Sequence, residues 1–313
     1  MKKQELNNMN ADKLFEIGEK FYHNGPQIFK AIDAFETLIN LHPSYVKGWE
    51  YLATMYFENT EFDKWLKTID QAIDLSPNNI RTKEIKNTCL SLMSKFIFEN
   101  GHFFNEKTRE AYEIRSFQNQ NDIKKAFFVS TSELLKLNKE DSTKSYNYIM
   151  KLGHLSRDLK EYNNAIDYFQ KASNNIPDKF NDERKLNTTR LIEKLISMVY
   201  FDIENFEKSL IHLKKAFSLG LDEYSKMFEA DIYQAMGDDI KMKKTLESLA
   251  DSIEIKLKSK PEQAYISQQI NVFLRLKMPE KAYETLKYFE SLPNNDFHIT
   301  RKKEFTKKIE NYP

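Results

Sequence analysis

A repeating arrangement of small, apolar and proline residues constrains this sequence more than any other feature. Pro43 and Pro77 lie 34 residues apart, and between them stand Trp49, Leu52, Ala53, Tyr56, Ile69 and Ala72. These positions fit two amphipathic helices joined by a short turn, because a small residue lets two helices approach closely and proline ends the second helix. The interval predicts that such helix pairs stack on one another along the chain.

Similar arrangements recur elsewhere in the sequence. The further copies cover residues 11–43, 146–177, 190–221, 223–254 and 263–293. Where the copy at 44–77 has Ala53, four of the others have Gly18, Gly153, Ser197 and Ala230. The copy at 146–177 is the clearest of the five. Regular copies at this spacing predict a helical repeat array over most of the chain.

The arrangement resembles the tetratricopeptide repeat family, whose pattern is W-x2-L-G-x2-Y, then A-x3-F, then P. The resemblance extends roughly over residues 12–293. It implies an all-α, right-handed α-solenoid of about seven helix-turn-helix units with a C-terminal capping helix. It also implies that the first helix of each pair lines a concave groove.

The pattern divides the chain into successive segments. Residues 1–10 form an N-terminal extension, 11–77 repeats one and two, and 78–141 a degenerate third repeat with an insertion at 99–121. Repeat four covers 142–177, and a second insertion follows at 178–189 as a loop or a helix extension. Repeats five, six and seven cover 190–221, 222–260 and 261–293, and residues 294–313 form the capping helix.

The third repeat departs from the pattern. Its first helix is predicted to be long, with an apolar face of Ile85, Cys89, Leu92, Met93, Phe96 and Ile97. The partner helix has Ile123, Ala126, Phe127, Leu134 and Leu137. In the preceding repeat, Trp65 occupies a position where the family has a small residue. We expect this indole to push the irregular repeat away.

Composition excludes several classes of protein. The 48 Lys and Arg residues nearly balance 47 Asp and Glu residues and are evenly spread, which leaves no strong basic field for nucleic acid. Cys89 is the single cysteine, so an intrachain disulfide is impossible. No apolar run approaches the ~18 residues of a membrane span. We therefore expect a cytoplasmic protein without membrane insertion.

The sequence contains no pattern typical of catalysis. None of the six His residues is spaced i, i+4 from another, and no Gly-rich phosphate loop is present. Cys89 falls on an apolar helix face, where a buried structural role is favoured over a nucleophilic one. The acidic pair Asp238 and Asp239 lies in a predicted turn and fits helix capping. We expect no enzyme activity, cofactor or metal site.

The groove of repeats five and six is predicted to bind a partner. Its apolar residues are Leu195, Met198, Phe201, Tyr224, Met227 and Phe228. Methionine and aromatic side chains suit an apolar segment of another protein, although packing against a neighbouring repeat is an alternative. In repeat four, His154 and Arg157 lie one helical turn apart, where they either hold an anion or simply line the groove.

Other groove positions receive no specific role. In the last two repeats Asp231, Gln234, Asn271 and Arg275 are predicted to face inward. Some family members clamp a terminal carboxylate with a pattern of Lys and Asn residues, and of the corresponding positions here only Lys83 fits.

Two functions remain open. The first is a protein-interaction scaffold or adaptor, with a chaperone-like role toward a partner's apolar segment as one form. The second is a regulatory receptor for a short peptide or small anion, with the insertion at 99–121 as a lid or effector contact.

Overall fold

The computed structural model describes residues 9–23, 27–220, 223–259, 262–290 and 296–311. In these ranges the chain forms fifteen α-helices and three short strands. Contacts within the chain define two compact units, Met1–Pro177 and Asp178–Pro313. Most of the predicted N-terminal extension, and the predicted boundary at residue 293, lie outside the described residues.

The first unit consists of consecutive helix pairs. Its helices are α1 (Ala11–His23), α2 (Ile28–Leu41), α3 (Val46–Glu58), α4 (Phe62–Leu75), α5 (Ile80–Met93), α6 (Gln120–Leu137), α7 (Ser142–Asp158) and α8 (Tyr162–Asn174). The pairs are α1–α2, α3–α4, α5–α6 and α7–α8, and each pair packs against the next.

The second unit repeats this organisation. Its helices are α9 (Asp182–Asp202), α10 (Phe206–Ser218), α11 (Glu223–Ala235), α12 (Asp239–Ser259), α13 (Gln263–Arg275), α14 (Pro279–Glu290) and α15 (Asp296–Glu310). Helices α9 to α14 form three pairs, and α15 packs on α13 and α14. The predicted all-α helical repeat fold is confirmed.

The first and last helices of the second unit are positioned by a polar cap and by apolar packing, respectively. The predicted insertion at 178–189 is largely helical, because Asn181 caps α9 by accepting a hydrogen bond from the Arg184 backbone N–H at 2.8 Å. At the other end, Phe305 and Ile309 of α15 are 5% and 4% exposed and bury the last apolar face of α13 and α14. Helix α15 thus covers that core, as the sequence predicts for a cap.

No helix in the described ranges is long and apolar enough to cross a bilayer.

The helices of a pair cross where the first helix has almost no side chain. A Cβ atom added to Gly153 of α7 would lie 2.6 Å from Cε1 of Phe169 on α8, and one added to Gly18 of α1 would lie 2.6 Å from Cζ of Phe35 on α2. In the α9–α10 pair, the buried hydroxyl oxygens of Ser197 and Ser209 lie 3.1 Å apart. The small residues of the repeat pattern therefore set the helix-to-helix distance.

The insertion in the third repeat contains a small antiparallel sheet that the sequence analysis did not predict. Strand β1 (Ile97–Glu99) pairs with β2 (His102–Phe104), and β2 pairs with β3 (Ala111–Tyr112). The turn between β1 and β2 consists of Asn100 and Gly101, with φ values of 51° and 82°. Two residues with positive φ form the type of turn that matches strand twist in a hairpin.

The predicted long helix over the third repeat is wrong at its C-terminal end. Helix α5 ends at Met93, Phe96 lies in the connection, and Ile97 begins β1 opposite Phe104. The reason is the Asn-Gly turn, which brings an apolar segment on each side of it into an antiparallel pair. Cys89 remains on α5 and is buried there.

Trp65 is accommodated inside the core of the first unit. Its side chain is fully buried, and its ring meets that of Phe57 edge to face at 5.4 Å. The inserted segment joins the same core through Phe103, Ile114 and Phe117. The predicted displacement of the next repeat by Trp65 stays a prediction.

A single carboxylate, that of Asp63 at the start of α4, holds the end of the insertion. It accepts hydrogen bonds from the backbone N–H groups of Arg115 and Ser116 at 3.0 and 2.7 Å and from the Ser116 hydroxyl at 2.5 Å. Burial alone raises the pKa of Asp63, but the hydrogen bonds from Ser116 and Arg115 outweigh it and hold the pKa below its ordinary value. The anchor is therefore strongest when Asp63 is ionised.

We expect Gly153→Ala to destabilise the protein by up to about 2 kcal/mol. The new methyl group overlaps the Phe169 ring at a cost of about 1–3 kcal/mol, and better helix propensity offsets about 1 kcal/mol of that cost. Urea denaturation followed by circular dichroism measures the change. The double variant Gly153→Ala/Phe169→Leu should lose less than the two single variants together, and strict additivity would contradict the proposed clash.

We expect Asp63→Asn to loosen the insertion while the helices stay folded. Loss of charge-assisted hydrogen bonds costs about 1–3 kcal/mol, so trypsin should cut after Lys107 and Arg109 about tenfold faster than in wild type. The matched control is Glu113→Gln, which removes only an exposed ion pair with Arg115 at 2.8 Å. Equal cleavage of both variants would show that Asp63 is not the anchor.

The same anchor predicts a pH dependence. A carboxylate whose pKa is lowered in the folded protein stabilises it fully above the unfolded value of about 4, and this contribution disappears as pH falls through the folded value. Hydrogen-exchange protection factors of the insertion, which correct for the intrinsic pH dependence of exchange, should therefore fall below about pH 4 in wild type and approach those of Asp63→Asn. A constant difference between the two proteins across this range would contradict the assignment.

Candidate functional site

The predicted apolar patch of repeats five and six is only partly assembled. Phe201 of α9 and Phe228 of α11 meet edge to face at 5.3 Å, and Phe201 also lies 5.5 Å from Phe206. Met198 is half-buried on α9. The aromatic contact therefore joins the first helices of two successive pairs.

The other members of the patch have different surroundings. Leu195 is 7% exposed and lies inside the protein, whereas Tyr224 is 66% exposed. Met227 points toward the next pair, where its Sδ atom lies 3.1 Å from Nη1 of Arg275 on α13. Thus the alternative of packing against a neighbouring repeat describes Met227, and Tyr224 is the most accessible residue of the predicted set.

His154 and Arg157 lie on α7 in the first unit. The His154 ring packs edge to face against Phe169 at 5.3 Å. Loss of contact with water lowers the pKa of this imidazole, Asp158 opposes the shift and Arg157 adds to it. The lowered pKa of His154 disfavours the positive charge that the predicted anion site needs.

A groove in the second unit runs between α11, α13 and α15, with the start of α12 at one side. Its volume is about 720 Å³. The residues that line it are Met227, Asp231, Gln234, Asp239, Met242, Asn271, Leu274, Arg275, Lys277, Lys308 and Asn311. First helices of two successive pairs and the capping helix thus form one concave surface.

Arg275 fixes the floor of this groove. Its Nη1 atom donates to Oδ1 of Asp231 at 2.6 Å, and its Nη2 atom donates to Oε1 of Gln234 at 2.8 Å. These bonds tie α13 to α11, because Asp231 and Gln234 are one turn apart on the same helix face. The charge of Arg275 is consequently neutralised within the protein.

Two lysines give the groove its remaining positive charge. Lys308 of α15 donates a hydrogen bond to the uncharged Oδ1 atom of Asn271 on α13. Lys277 follows α13, and among the described residues its ammonium group has neither a hydrogen bond nor an ion pair. The groove also contains Asp239 in the first turn of α12, while its neighbour Asp238 caps that helix through the Lys241 backbone N–H at 3.0 Å.

Sequence reasoning found only part of this groove. Asp231, Gln234, Asn271 and Arg275 were expected to face inward, and the structure brings all four together. Lys277, Lys308 and Asn311 were missed, because they come from a turn and from the capping helix rather than from the repeat pattern. The run of lysines in α15 was the available signal.

Cys89 is buried, and its thiol is poorly suited to act as a nucleophile. Burial raises the pKa of the Cys89 thiol to about 12, so the thiolate form is scarce at neutral pH. Within the described part of the chain, no group of three His, Cys, Asp or Glu side chains is arranged to hold a metal ion.

The comparison with protein families identifies one of the helix pairs. The model for the tetratricopeptide repeat matches residues 146–179, which include Gly153 and Phe169. The chain contains a tetratricopeptide repeat. The recognition made from the sequence is confirmed, and the number of further tetratricopeptide repeats in the chain stays a prediction.

Solved structures align with much of the chain at low sequence identity. A tetratricopeptide repeat protein from Parabacteroides merdae is 17% identical, with 96% of this chain and 99% of that one covered and a TM-score of 0.45. MamA is 14% identical over 67% of this chain and 91% of its own, with a TM-score of 0.43. PilF of Pseudomonas aeruginosa is 11% identical over 84% of this chain and 96% of its own, with a TM-score of 0.40.

No curated protein matches the sequence significantly.

The buried thiol gives a direct test of the core around the insertion. We expect Cys89 of the native protein to react with a thiol reagent such as DTNB at pH 8 about a hundredfold more slowly than in guanidinium, because it is buried and its pKa is raised. The unfolded chain serves as the control for full reactivity. Rapid labelling of the native protein would show that this core is open.

Proposed function

We propose that this chain is a non-catalytic scaffold or adaptor that binds a segment of another protein through its groove. The observation that carries the proposal is the open groove of the second unit, lined by α11, α13 and α15 with apolar side chains on its floor. A groove between packed helices suits an extended or helical segment better than a small substrate.

Helix α11 gives the proposed binding surface its continuity. Tyr224 and Phe228 lie on one strip of this helix toward α9, and Met227, Asp231 and Gln234 lie on the adjacent strip toward α13. Residues three or four positions apart are neighbours on a helix. The aromatic contact and the polar groove therefore adjoin along one helix.

The chemistry of the surface supports binding by anchored side chains. Tyr224 offers a large exposed ring, and aromatic residues are common anchors in protein interfaces. Met198, Met227 and Met242 are half-buried, and flexible thioethers adapt to partners of irregular shape. Leu195 contributes to this surface indirectly, by supporting it from the core.

The insertion bears on the choice between scaffold and receptor. Asp63 and the aromatic contacts of Phe62 with Phe96 and Tyr112, at 5.5 and 5.2 Å, attach it firmly to α4. A segment fixed in this way favours a scaffold over a receptor with a moving lid. We include His154 and Arg157 in the proposal only as groove-lining residues of the first unit.

A peptide-display selection on the full chain tests the proposed function. We expect defined peptides to be enriched, and Tyr224→Asp to weaken their binding about tenfold, since it removes an exposed aromatic anchor. The matched control is Tyr283→Asp on α14, where the side chain is 40% exposed. Circular dichroism checks that both variants are folded.

The proposed function fails if wild type enriches no peptide. The assignment of the surface fails if Tyr224→Asp and Tyr283→Asp bind the selected peptides equally well.

A further inference from the structure

We propose that the groove between α11, α13 and α15 takes an acidic segment that also carries apolar side chains. This inference rests on the proposed function and specifies the chemistry of the partner. The groove is lined by three cationic side chains, Arg275, Lys277 and Lys308, and by two carboxylates, Asp231 and Asp239. Its charge is therefore positive, although the chain as a whole is nearly neutral.

The pairing within the groove decides which charges a partner meets. Arg275 and Asp231 neutralise each other at 2.6 Å. Among the described residues, Lys308 has only the neutral amide of Asn271 as its partner, and Lys277 makes no ion pair. The lysine ammonium groups are thus the cations that remain for an incoming carboxylate, and an ionised acceptor gives each a stronger hydrogen bond than an amide does.

The floor between these charges is apolar. Leu274 is 4% exposed, and Met227 and Met242 are half-buried beside it. An acidic side chain could reach Lys277 or Lys308 while a neighbouring apolar side chain of the same segment covers the methionines. The amides of Asn271, Asn311 and Gln234 also line the groove. Beyond their bonds to Lys308, to the Lys307 carbonyl and to Arg275, they keep further donor and acceptor positions for the backbone of the segment.

The charge density favours a peptide over a nucleic acid. Polyanion binding relies on many cations that neutralise successive phosphates. Here the two available lysines share the groove with Asp239, which repels a continuous row of phosphates. A peptide with one or two carboxylates, spaced from this aspartate, meets the lysines without that repulsion.

The experiment compares selected peptides on the full chain and its variants. A random peptide library is displayed against wild type, and the enriched peptides are labelled and titrated by fluorescence anisotropy. We expect them to contain acidic and apolar residues, to bind more weakly as salt concentration rises, and to bind the double variant Lys277→Glu/Lys308→Glu about tenfold more weakly.

A matched charge reversal serves as the control. Lys303 lies on α15 as Lys308 does, is exposed, and is rotated from it by about 140° around the helix axis. Lys303→Glu should leave peptide affinity within about twofold of wild type, and Asp239→Asn should increase it, because Asp239 repels an acidic ligand. Circular dichroism and thermal melting verify that all variants fold.

Each outcome decides between the proposals. Enriched peptides that are basic or uncharged, or whose binding is unchanged by Lys277→Glu/Lys308→Glu, overturn the acidic-segment inference and leave the proposed function standing. Failure to enrich any peptide overturns both. Binding of a single-stranded oligonucleotide that competes with the selected peptides and depends on the same lysines assigns the groove to nucleic acid instead.

Discussion

The close crossing of two helices at a residue with little or no side chain is the constraint on which the structure depends. Gly153 of α7 faces the Phe169 ring directly, and Gly18 of α1 faces Phe35 in the same way. With the helices this close, the large residues of the second helix fill the seam and leave little space. The seam thus uses one face of each first helix, and its other faces remain for contacts outside the pair.

Because of those remaining faces, one helix can both pack against neighbouring helix pairs and form part of a binding surface. In the second unit, α11 contacts α9 through Phe228 and contacts α13 through Asp231 and Gln234. These polar contacts also form part of the groove floor. The groups that hold successive helix pairs together therefore also determine the shape and polarity of the groove. A rigid floor limits the ordering cost of binding, which is why preformed sites bind with less loss of entropy.

The sequence predicts the helix pairs well because their period follows from local geometry. It predicts the groove less completely. A helix turns by about 100° per residue, so a shift of one position moves a side chain from groove to core, as Leu195 shows. Lys308 reaches the groove only through the packing of α15, which no local pattern encodes. The strands of the insertion were missed because helical periodicity was extended across Phe96 and Ile97, although Asn100 and Gly101 marked a hairpin turn.

Helix α15 both covers the terminal core and lines the groove, and this combination has a thermodynamic consequence. Phe305 and Ile309 hold this helix on the core, while Lys308 of the helix and Asn311, which directly follows it, form one wall of the groove. Detachment of α15 would therefore dismantle the wall, and a ligand held by that wall would oppose detachment. Detachment of α15 and binding of a ligand in the groove are therefore linked equilibria. A bound ligand stabilises the attached helix, and detachment of the helix lowers the affinity for the ligand by the same free energy.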